Sequence, residues 1–497
     1  MSSAALAREQ DPMGALLDGV ARFCRAEIRA RDIDARGAIP RRVLEGLGEL
    51  GVFGVTLPER FGGAGLPLGD ACRLVTELAR ADRSVATTVG LHLGLGTRAL
   101  VRYGGEALRA RYLPELASGR TLGAFATTEP NAGSDLSALA TTATSRGERL
   151  TVTGQKLFVT NGGLAGVYTA TVSTPGLGGA QRGTSLVLFE RGDEGVVVGR
   201  EESKLGLKGS STTPLTLDGV HVGHDRIIGE PGRGAEALHH VLSWGRTLMS
   251  AGCCGTARAA LDRAREHTAS RRQFGKTLSA QPVVREQLAT MAARLYAMQA
   301  LVEETAALEQ DEAALLARSV TAKVLCSEGA SFVVDTALQL LGGMGFIEES
   351  GMPLLWRDVR ITRIFEGAND VLLTQLGARA ATAPAPRAPL ASGDRDDGLR
   401  RRADAVAARV AEARERLSDQ HRIGLLRQPR LLHRLGRALM WSEALDAAVR
   451  AHGEGGLGQS APAHLFAELA SAEVASALAE PPTEGAVELA LDGEVSP

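Results

Sequence analysis

One carboxylate in the chain has neighbours suited to acid-base chemistry at a carbon atom. Glu366 follows Ile364 and Phe365 and precedes Gly367 within the segment RIFEGANDV. A carboxylate among apolar neighbours loses water, which raises its basicity and suits it to removing a proton from a weak carbon acid. Taken alone, the same residue is a carboxylate at the start of a helix, where the helix dipole favours negative charge. The residue types therefore allow either a catalytic base or a helix-start residue.

Two further segments carry hydroxyls and turn formers of the kind that hold a planar heterocycle. FATTEPNAGSD, residues 125–135, combines Thr127 and Thr128 with a turn whose backbone N–H groups suit pyrophosphate or carbonyl oxygens. GQKLFVTNG, residues 154–162, sets the aromatic ring of Phe158 near a threonine hydroxyl, a pair able to stack on a ring and to hydrogen-bond with it. The first segment is also compatible with a structural turn, and the second with a hairpin that buries Phe158 in a core.

The elements that would position these residues predict a mostly α fold with a middle antiparallel β domain and a C-terminal helical extension. Residues 1–122 carry apolar side chains at the 3.6-residue period and predict an N-terminal α-helical domain. Residues 123–228 change to short alternating runs between Gly, Asp and Asn turns, which predicts the β domain. Ala- and Leu-rich stretches over 229–380 predict a C-terminal helical bundle domain. The Pro-rich segment 381–398 is typical of a linker, and 399–497 predicts the extension with an acidic tail.

Composition and charge exclude several classes of protein. The chain has 497 residues, which favours several domains, and its net charge of -2 gives no global field that would favour nucleic acid or an anionic membrane. The five cysteines show no CxxC spacing and no nearby histidine cluster, so neither a metal site nor a disulfide framework is expected. The N-terminal segment lacks the apolar core of a secretion signal, and no uninterrupted apolar run of about 18 residues could span a bilayer. We therefore expect a cytoplasmic protein.

Taken together, the threonine-rich segment and the GQKLFVTNG segment resemble the acyl-CoA dehydrogenase family, and the resemblance continues along the chain. RRQFGK (271–276), QLLGGMGF (339–346) and RIFEGANDV (363–371) follow in the order found in that family. The resemblance covers roughly residues 10 to 380. MGFIEESG with RIFEGAND looks most like the very-long-chain branch, which also carries a C-terminal helical extension. The resemblance implies an α-β-α architecture, an FAD cofactor and dehydrogenation between the α and β carbons of an acyl thioester.

The resemblance also implies which residues hold the cofactor. Thr128 and Thr160 would hydrogen-bond the flavin, and Arg271 would reach the FAD pyrophosphate of the adjacent subunit, which makes a homodimer or a dimer of dimers the expected assembly. Taken alone, Arg271 is typical of a solvent-exposed charged residue, and the pair Gly342 and Gly343 is typical of the C-terminal end of a helix. The implied cofactor-binding residues are Phe125, Thr127, Thr128, Ser134, Phe158, Val159, Thr160, Arg271, Gln273, Phe274, Gln339, Gly342, Gly343, Ala368, Asn369 and Asp370.

For the reaction, the resemblance implies that Glu366 removes the α proton while the β hydride passes to flavin N5. The thioester carbonyl would be polarised by the backbone N–H of Glu366 and a ribityl hydroxyl of FAD. Arg246, in the segment SWGR, would hold the acyl chain region or restrain the Glu366 loop, and a helix salt bridge is the alternative. Small residues around Gly90 would leave room for a medium-to-long acyl chain, although close helix packing needs the same residues. The implied substrate-binding residues are Ser134, Ser243, Arg246, Phe365, Gly367 and Gly90.

The expected function is desaturation of a fatty acyl-CoA to the trans-2-enoyl-CoA in fatty acid β-oxidation, with an electron-transferring flavoprotein as electron acceptor. An acyl-CoA oxidase, a dehydrogenase of carrier-bound acyl groups and a flavin-containing DNA-binding stress protein on the same scaffold are the alternatives. The arginine-rich region 399–450 would pack on its own partner, lie on an anionic membrane surface or grip nucleic acid. Peripheral membrane contact is thus left open, whereas nucleic-acid binding is not expected. Pro282, Phe158 and Ala368 replace residues common in the family and weaken individual FAD contacts.

Overall fold

The structure is a computed structural model in which the chain forms two compact units, Met1–Asn369 and Asp370–Pro497. The acidic tail expected from Pro481 onward, and most of the linker expected at 381–398, lie outside the described residues. The domain limits expected from the sequence stay a prediction. The structure describes residues 12–179, 183–382, 397–453 and 460–479.

The first unit begins with helices that bury one apolar face each. They are α1 (Pro12–Glu27), α2 (Ala30–Arg36), α3 (Arg41–Glu49), α4 (Leu68–Ala81), α5 (Arg83–Leu91), α6 (Arg98–Tyr103) and α7 (Glu106–Ala117). Asp82 begins α5 as its N-cap, because its carboxylate accepts a 2.8 Å hydrogen bond from the backbone N–H of Val85. A π-helical turn, His92–Gly96, follows α5, and turns of this kind often mark functional sites.

The middle of the chain forms one eight-stranded sheet with the spatial order β6-β7-β3-β2-β4-β5-β8 and with β1 paired to β4. Its strands are β1 (Leu122–Ala126), β2 (Thr142–Arg146), β3 (Arg149–Thr160), β4 (Ala165–Ser173), β5 (Thr184–Glu190), β6 (Val196–Val198), β7 (Thr212–Gly223) and β8 (Ile227–Ile228). The sequence predicted an antiparallel sheet. The strand β1 runs parallel to β4, so the sheet is mixed instead. No tight hairpin joins these two strands, so turn geometry does not force them to be antiparallel.

Helices return after the sheet and complete the core of the first unit. These elements are α8 (Gly234–Ser270), the hairpin β9 (Arg272–Gln273) and β10 (Lys276–Thr277), α9 (Pro282–Ala307), α10 (Glu312–Leu341), α11 (Gly343–Phe346) and α12 (Met352–Arg360). Pro282 occupies the start of α9, where its missing N–H breaks no helical bond. Asp311 caps α10 by accepting a 3.0 Å hydrogen bond from the N–H of Ala314. The central helix α8 buries Trp244 and Leu248 in the same cluster as the N-terminal helices.

Helix α10 is the one helix of the described residues that is long and apolar enough to cross a membrane by length and composition. Its most apolar 18-residue window has a mean hydropathy of 1.3, and 56% of that window is buried inside the protein. Burial of this kind is what the central helix of a packed bundle requires, so the window carries no argument for a membrane span.

The second unit is helical. It contains α13 (Asn369–Thr382) from Asp370 onward, α14 (Asp397–His421), α15 (Pro429–Gly453) and α16 (Ser460–Leu478). Gly377 and Gly436 let α13 and α15 approach closely, because a side chain at either position would meet the other helix's backbone. Trp441 and Phe466 pack with ring centroids 5.6 Å apart between α15 and α16. The predicted fold class, mostly α with a central sheet and helices beyond it, is confirmed.

Candidate active site

The loop that joins α12 to α13 holds Glu366 in an unusual backbone conformation. A short 3-10 turn, Ile361–Arg363, ends before it, and α13 begins after it at Asn369. Glu366 has φ 56° and Gly367 has φ 103°, so two consecutive residues lie at positive φ. A residue with a Cβ rarely adopts this conformation unless its surroundings impose it, and such residues cluster at functional sites.

The carboxylate of Glu366 points into the protein interior. The residue as a whole is half-buried, but its Oε2 atom is inaccessible to solvent and has no hydrogen-bond partner among the described residues. A Cβ added at Gly245 of α8 would lie 2.9 Å from that oxygen and 2.7 Å from Leu95 Cδ2 in the π-helical turn. The absence of a side chain at Gly245 therefore makes room for the carboxylate against α8.

Buried cations surround this loop. The Arg246 guanidinium donates a 3.1 Å hydrogen bond from Nε to the carbonyl of Glu366. The Lys323 ammonium donates to the carbonyl of Gly367 at 2.6 Å and to Asn369 Oδ1 at 2.7 Å. Arg83, the first residue of α5, is also buried and donates to the Met249 carbonyl at 3.2 Å. The contact made by Arg246 thus holds the backbone of the loop, and restraint of this loop was one of the three roles left open by the sequence.

Burial and these cations act on Glu366 in opposite directions. Desolvation raises the pKa of Glu366 from its ordinary 4.5 to about 7, while Arg246, Lys323 and Arg83 oppose the rise. Burial also lowers the pKa of Lys323 to about 8. A carboxyl with a pKa near neutrality is partly ionised at the pH of the cell and is a far stronger base than a solvated glutamate. The site can therefore abstract a proton from a carbon acid held against it.

The threonine-rich segment after β1 is held by a buried ion pair. Lys156 Nζ lies 2.7 Å from Glu129 Oε1, and both side chains are essentially inaccessible to solvent. Lys156 also donates to the Thr127 carbonyl, and the Glu129 carboxylate accepts from the N–H of Thr141 at 3.1 Å. Burial opposes ionisation of Glu129, yet the hydrogen bonds from Lys156 and Thr141 hold its pKa below the ordinary value. The hydroxyl Oγ1 of Thr127 is buried and has no partner among the described residues.

The second predicted segment presents an exposed aromatic ring at the end of β3. The pairing of β3 with β7 shifts register between Lys156 and Val159, so Phe158, which lies between them, is not paired with a residue of β7. Phe158 has φ 55°, and 61% of its surface is exposed. The alternative of a hairpin with Phe158 in the core is wrong, because the neighbouring Val159 is buried in its place.

A second group of predicted residues lies on the surface. Phe274 sits in the turn between β9 and β10 with φ 52° and 91% of its surface exposed. Met344 and Phe346 of α11 are exposed as well. Exposed large apolar side chains are typical of surfaces that meet another molecule. The predicted residues in this exposed group are Arg271, Gln273, Phe274, Gln339, Gly342 and Gly343.

The remaining predicted residues have diverse surroundings. Ser243 is buried and donates its hydroxyl to the His240 carbonyl one turn earlier in α8. Gly90 of α5 is buried, and a Cβ there would lie 3.6 Å from Val75 Cγ2, so helix packing occupies the space beside it. Three lie within or beside the Glu366 loop, and four others lie on β1, at the end of β3, on the surface or in the second unit. In the loop, Phe365 and Ala368 are half-buried and Asn369 is buried. Elsewhere, Phe125 is buried in β1, Thr160 is half-buried and Ser134 is exposed. Asp370 is exposed, and its Oδ1 lies 3.3 Å from His433 Nε2.

Sequence reasoning missed the residues that support the predicted ones. Lys323 lies 43 positions before Glu366 in a helix of mostly Ala, Val and Leu, where a lone lysine is the only signal that could have singled it out. Gly245 and Glu129 were likewise passed over, although both stand inside segments that drew attention for other reasons. Within the described part of the chain, no three His, Cys, Asp or Glu side chains gather into a metal-binding group.

Comparison with known proteins identifies the class of protein that this fold and this loop define. Three models of acyl-CoA dehydrogenases match in order: the N-terminal domain over residues 12–120, the middle domain over 124–220 and the C-terminal domain over 232–381. An acyl-CoA dehydrogenase of Bacillus subtilis is 34% identical over 70% of this chain and 92% of its own length. The chain belongs to the acyl-CoA dehydrogenase family.

Two further relatives show how far the likeness extends. The mitochondrial very long-chain specific acyl-CoA dehydrogenase of Mus musculus is 36% identical over 72% of this chain. The alignment spans only 56% of that relative's length. The crystal structure of an acyl-CoA dehydrogenase complexed with FAD from Bacillus anthracis superposes with a TM-score of 0.84 at 25% identity, over 97% of this chain and 90% of that one. The helices beyond the C-terminal family model therefore have a counterpart in a solved structure.

Proposed function

We propose that the protein is an FAD-dependent acyl-CoA dehydrogenase that removes the α proton of an acyl-CoA with Glu366 and yields the trans-2-enoyl-CoA. The observation that carries this proposal is the Oε2 atom of Glu366, which is inaccessible to solvent and has no hydrogen-bond partner among the described residues, on a carboxyl whose pKa is raised by burial to about 7. A thioester α C–H is weakly acidic, so its removal needs a base of raised pKa held in a water-poor site.

The same loop supplies a group that would polarise the substrate. The preceding N–H groups of Ile364 and Phe365 both donate to the Ile361 carbonyl, whereas the backbone N–H of Glu366 has no acceptor within the described residues. A thioester carbonyl that accepts a hydrogen bond from this N–H would bring its α carbon to the carboxylate of the same residue. The enolate that develops on proton removal would be stabilised by the fixed N–H dipole.

The residues present fit an FAD. The buried, unpartnered hydroxyl of Thr127 and the exposed ring of Phe158 are a polar and an aromatic group that a flavin would satisfy and cover. Thr128 and Thr160 would hydrogen-bond the ring, and Arg271 of an adjacent subunit would meet the pyrophosphate. When bound, FAD accepts the hydride that leaves the β carbon. The ion pair of Lys156 with Glu129 holds the threonine-rich segment in place for that binding.

The finer parts of the proposal concern substrate and partners. We propose a medium-to-long acyl chain in fatty acid β-oxidation, supported by the likeness to the very long-chain specific relative. An electron-transferring flavoprotein would reoxidise the FAD. A homodimer would bury the exposed residues around Phe274 and Phe346. We further propose a cytoplasmic protein, with peripheral membrane contact through the C-terminal helices as a secondary possibility.

The test is anaerobic reduction of the purified FAD-bound protein by acyl-CoAs of increasing chain length. Wild type is expected to lose its flavin absorbance with at least one of them, and the variant Glu366→Gln is expected to bind FAD and the acyl-CoA but to keep the flavin oxidised. Glu59→Gln changes an exposed carboxyl in the same way and is expected to behave as wild type. Bleaching by Glu366→Gln at the wild-type rate would remove Glu366 as the base. Rapid oxygen consumption during turnover would instead identify an acyl-CoA oxidase.

A further inference from the structure

We propose that Lys323 is a positioning residue for Glu366: its buried ammonium locks the loop of residues 366–369 and supplies a fixed positive charge against which the carboxylate ionises. The proposal rests on the function proposed above for Glu366. It concerns a residue that lies on a different helix, α10, and that would touch neither substrate nor cofactor.

The ammonium is placed at the turn that follows the base. Lys323 is fully buried, and its Nζ donates to the Gly367 carbonyl at 2.6 Å and to Asn369 Oδ1 at 2.7 Å. Asn369 in turn donates to Ser327 Oγ at 3.0 Å and to Glu328 Oε1 at 2.7 Å, both of which lie one turn further along α10. One side of α10 therefore holds both the carbonyl at the top of the loop and the first residue of α13.

These contacts matter because the loop is strained. A left-handed conformation at a residue with a Cβ costs about 1 kcal/mol or more, and Glu366 adopts it directly before Gly367 at φ 103°. Two consecutive carbonyls are each held by a buried cation, that of Glu366 by Arg246 and that of Gly367 by Lys323. With the Lys323 contact removed, the peptide after Gly367 is free to rotate, and the carboxylate loses its fixed direction.

The charge of Lys323 is not neutralised by its contacts. Both oxygens that accept its hydrogen bonds belong to uncharged groups, so its field reaches the ionisable groups around it. Those groups are Glu366 in the loop, Glu328 on α10, and Cys253 and Arg246 on α8, while Arg83 on α5 and Arg246 also face Glu366. The Lys323 charge favours the ionised form of Glu366, which is the form that accepts a proton.

The closing experiment compares Lys323→Met with Ser327→Ala in the FAD-bound protein. Lys323→Met removes the charge and both hydrogen bonds, whereas Ser327→Ala loosens Asn369 but leaves the charge in place. For Lys323→Met we expect unchanged flavin absorbance and flavin reduction by acyl-CoA that is about tenfold slower or more. We also expect a shift in the acid limb, which is the part of the pH profile where the rate of flavin reduction falls as Glu366 is protonated. Its midpoint should rise by about one pH unit. For Ser327→Ala we expect the acid limb to stay at its wild-type pH.

Two further variants separate charge from packing. Lys323→Arg keeps the charge and is expected to keep the wild-type limb even where its rate falls. If Lys323→Met yields no soluble protein, Lys323→Gln is neutral and is expected to give the same upward displacement of the limb. An acid limb that stays in place in the neutral variants would reduce Lys323 to a structural residue and overturn the proposal.

The ionisation of Glu366 can also be followed without turnover. Infrared difference spectra of the FAD-bound protein during a pH titration should contain a carboxylic C=O band that is lost in Glu366→Gln, and the midpoint of that band should rise in Lys323→Met. If no acyl-CoA reduces the wild-type flavin, the proposed function fails while this titration still decides the role of Lys323. An unmoved midpoint would overturn the proposal for Lys323 alone.

Discussion

Replacing Glu366 by glutamine should stabilise the protein relative to wild type, and this stability advantage should grow as the pH rises. Burial raises the pKa of Glu366 from 4.5 to about 7, so the folded protein holds this proton more tightly than the unfolded chain does. The carboxyl therefore favours the fold at low pH and opposes it progressively as the pH passes from 4.5 to about 7. At about 1.4 kcal/mol for each pH unit of displacement, the ionised carboxylate costs about 3 kcal/mol above neutrality.

The corresponding assay compares unfolding of wild type and Glu366→Gln, both saturated with FAD, at several pH values between about 5.5 and 8.5. The titration of a single group with these two pKa values predicts that the stability advantage of the variant grows by about 2 kcal/mol across that range, which is a few degrees in Tm. Glu59→Gln, on an exposed carboxyl, gives the background for the same chemical change. A difference between Glu366→Gln and wild type that does not vary with pH would refute the claim that the carboxylate is desolvated in the folded protein.

Three other substitutions test the surroundings of the site. Gly245→Ala places a methyl group 2.9 Å from the Oε2 atom of Glu366 and should lower kcat about 100-fold with FAD content unchanged, measured by steady-state kinetics and flavin absorbance. Lys156→Met leaves the Glu129 carboxylate buried without its cation, so chemical denaturation should show a loss of about 3 to 5 kcal/mol, with weaker FAD binding by fluorescence titration. Phe158→Gly relieves a left-handed residue and should stabilise the FAD-free protein by about 1 kcal/mol while raising the Kd for FAD.

The parts of the fold and site that could be predicted depend on local sequence. Helices with a regular apolar period and strands with alternating side chains were recognisable because each pattern repeats within one element. Glu366 could be singled out as the candidate base only through the resemblance of its segment RIFEGANDV to the family, because its apolar neighbours and the following glycine equally allow a helix-start residue. The direction of β1 could not be predicted, since strand direction depends on how the chain enters the sheet and not on which side chains alternate.

The supporting residues were beyond prediction for a different reason. Arg83, Gly245 and Lys323 come from three helices and meet at one loop only because those helices pack together. A buried lysine or arginine has no sequence pattern of its own, since the same residue on another face of the helix would be solvated. Close approach at Gly245 is likewise a property of two packed elements, and a glycine within a helix gives no indication of which atom fills the space beside it.

Two opposing requirements explain why a catalytic carboxylate would lie among cations in this site. Burial alone drives the pKa of a carboxyl upward, and a fully buried one without partners can rise by several units and stay protonated at neutral pH. Direct contact with a guanidinium has the opposite effect on a carboxylate, because it lowers the pKa and makes the carboxylate a poor base. Here Arg246 and Lys323 donate to backbone carbonyls of the loop and not to the carboxylate itself, so they favour its ionisation from a distance and leave Oε2 free of hydrogen bonds. The pKa of Glu366 is about 7 because desolvation raises it while the two cations, which bind the backbone and not the carboxylate, lower it only in part.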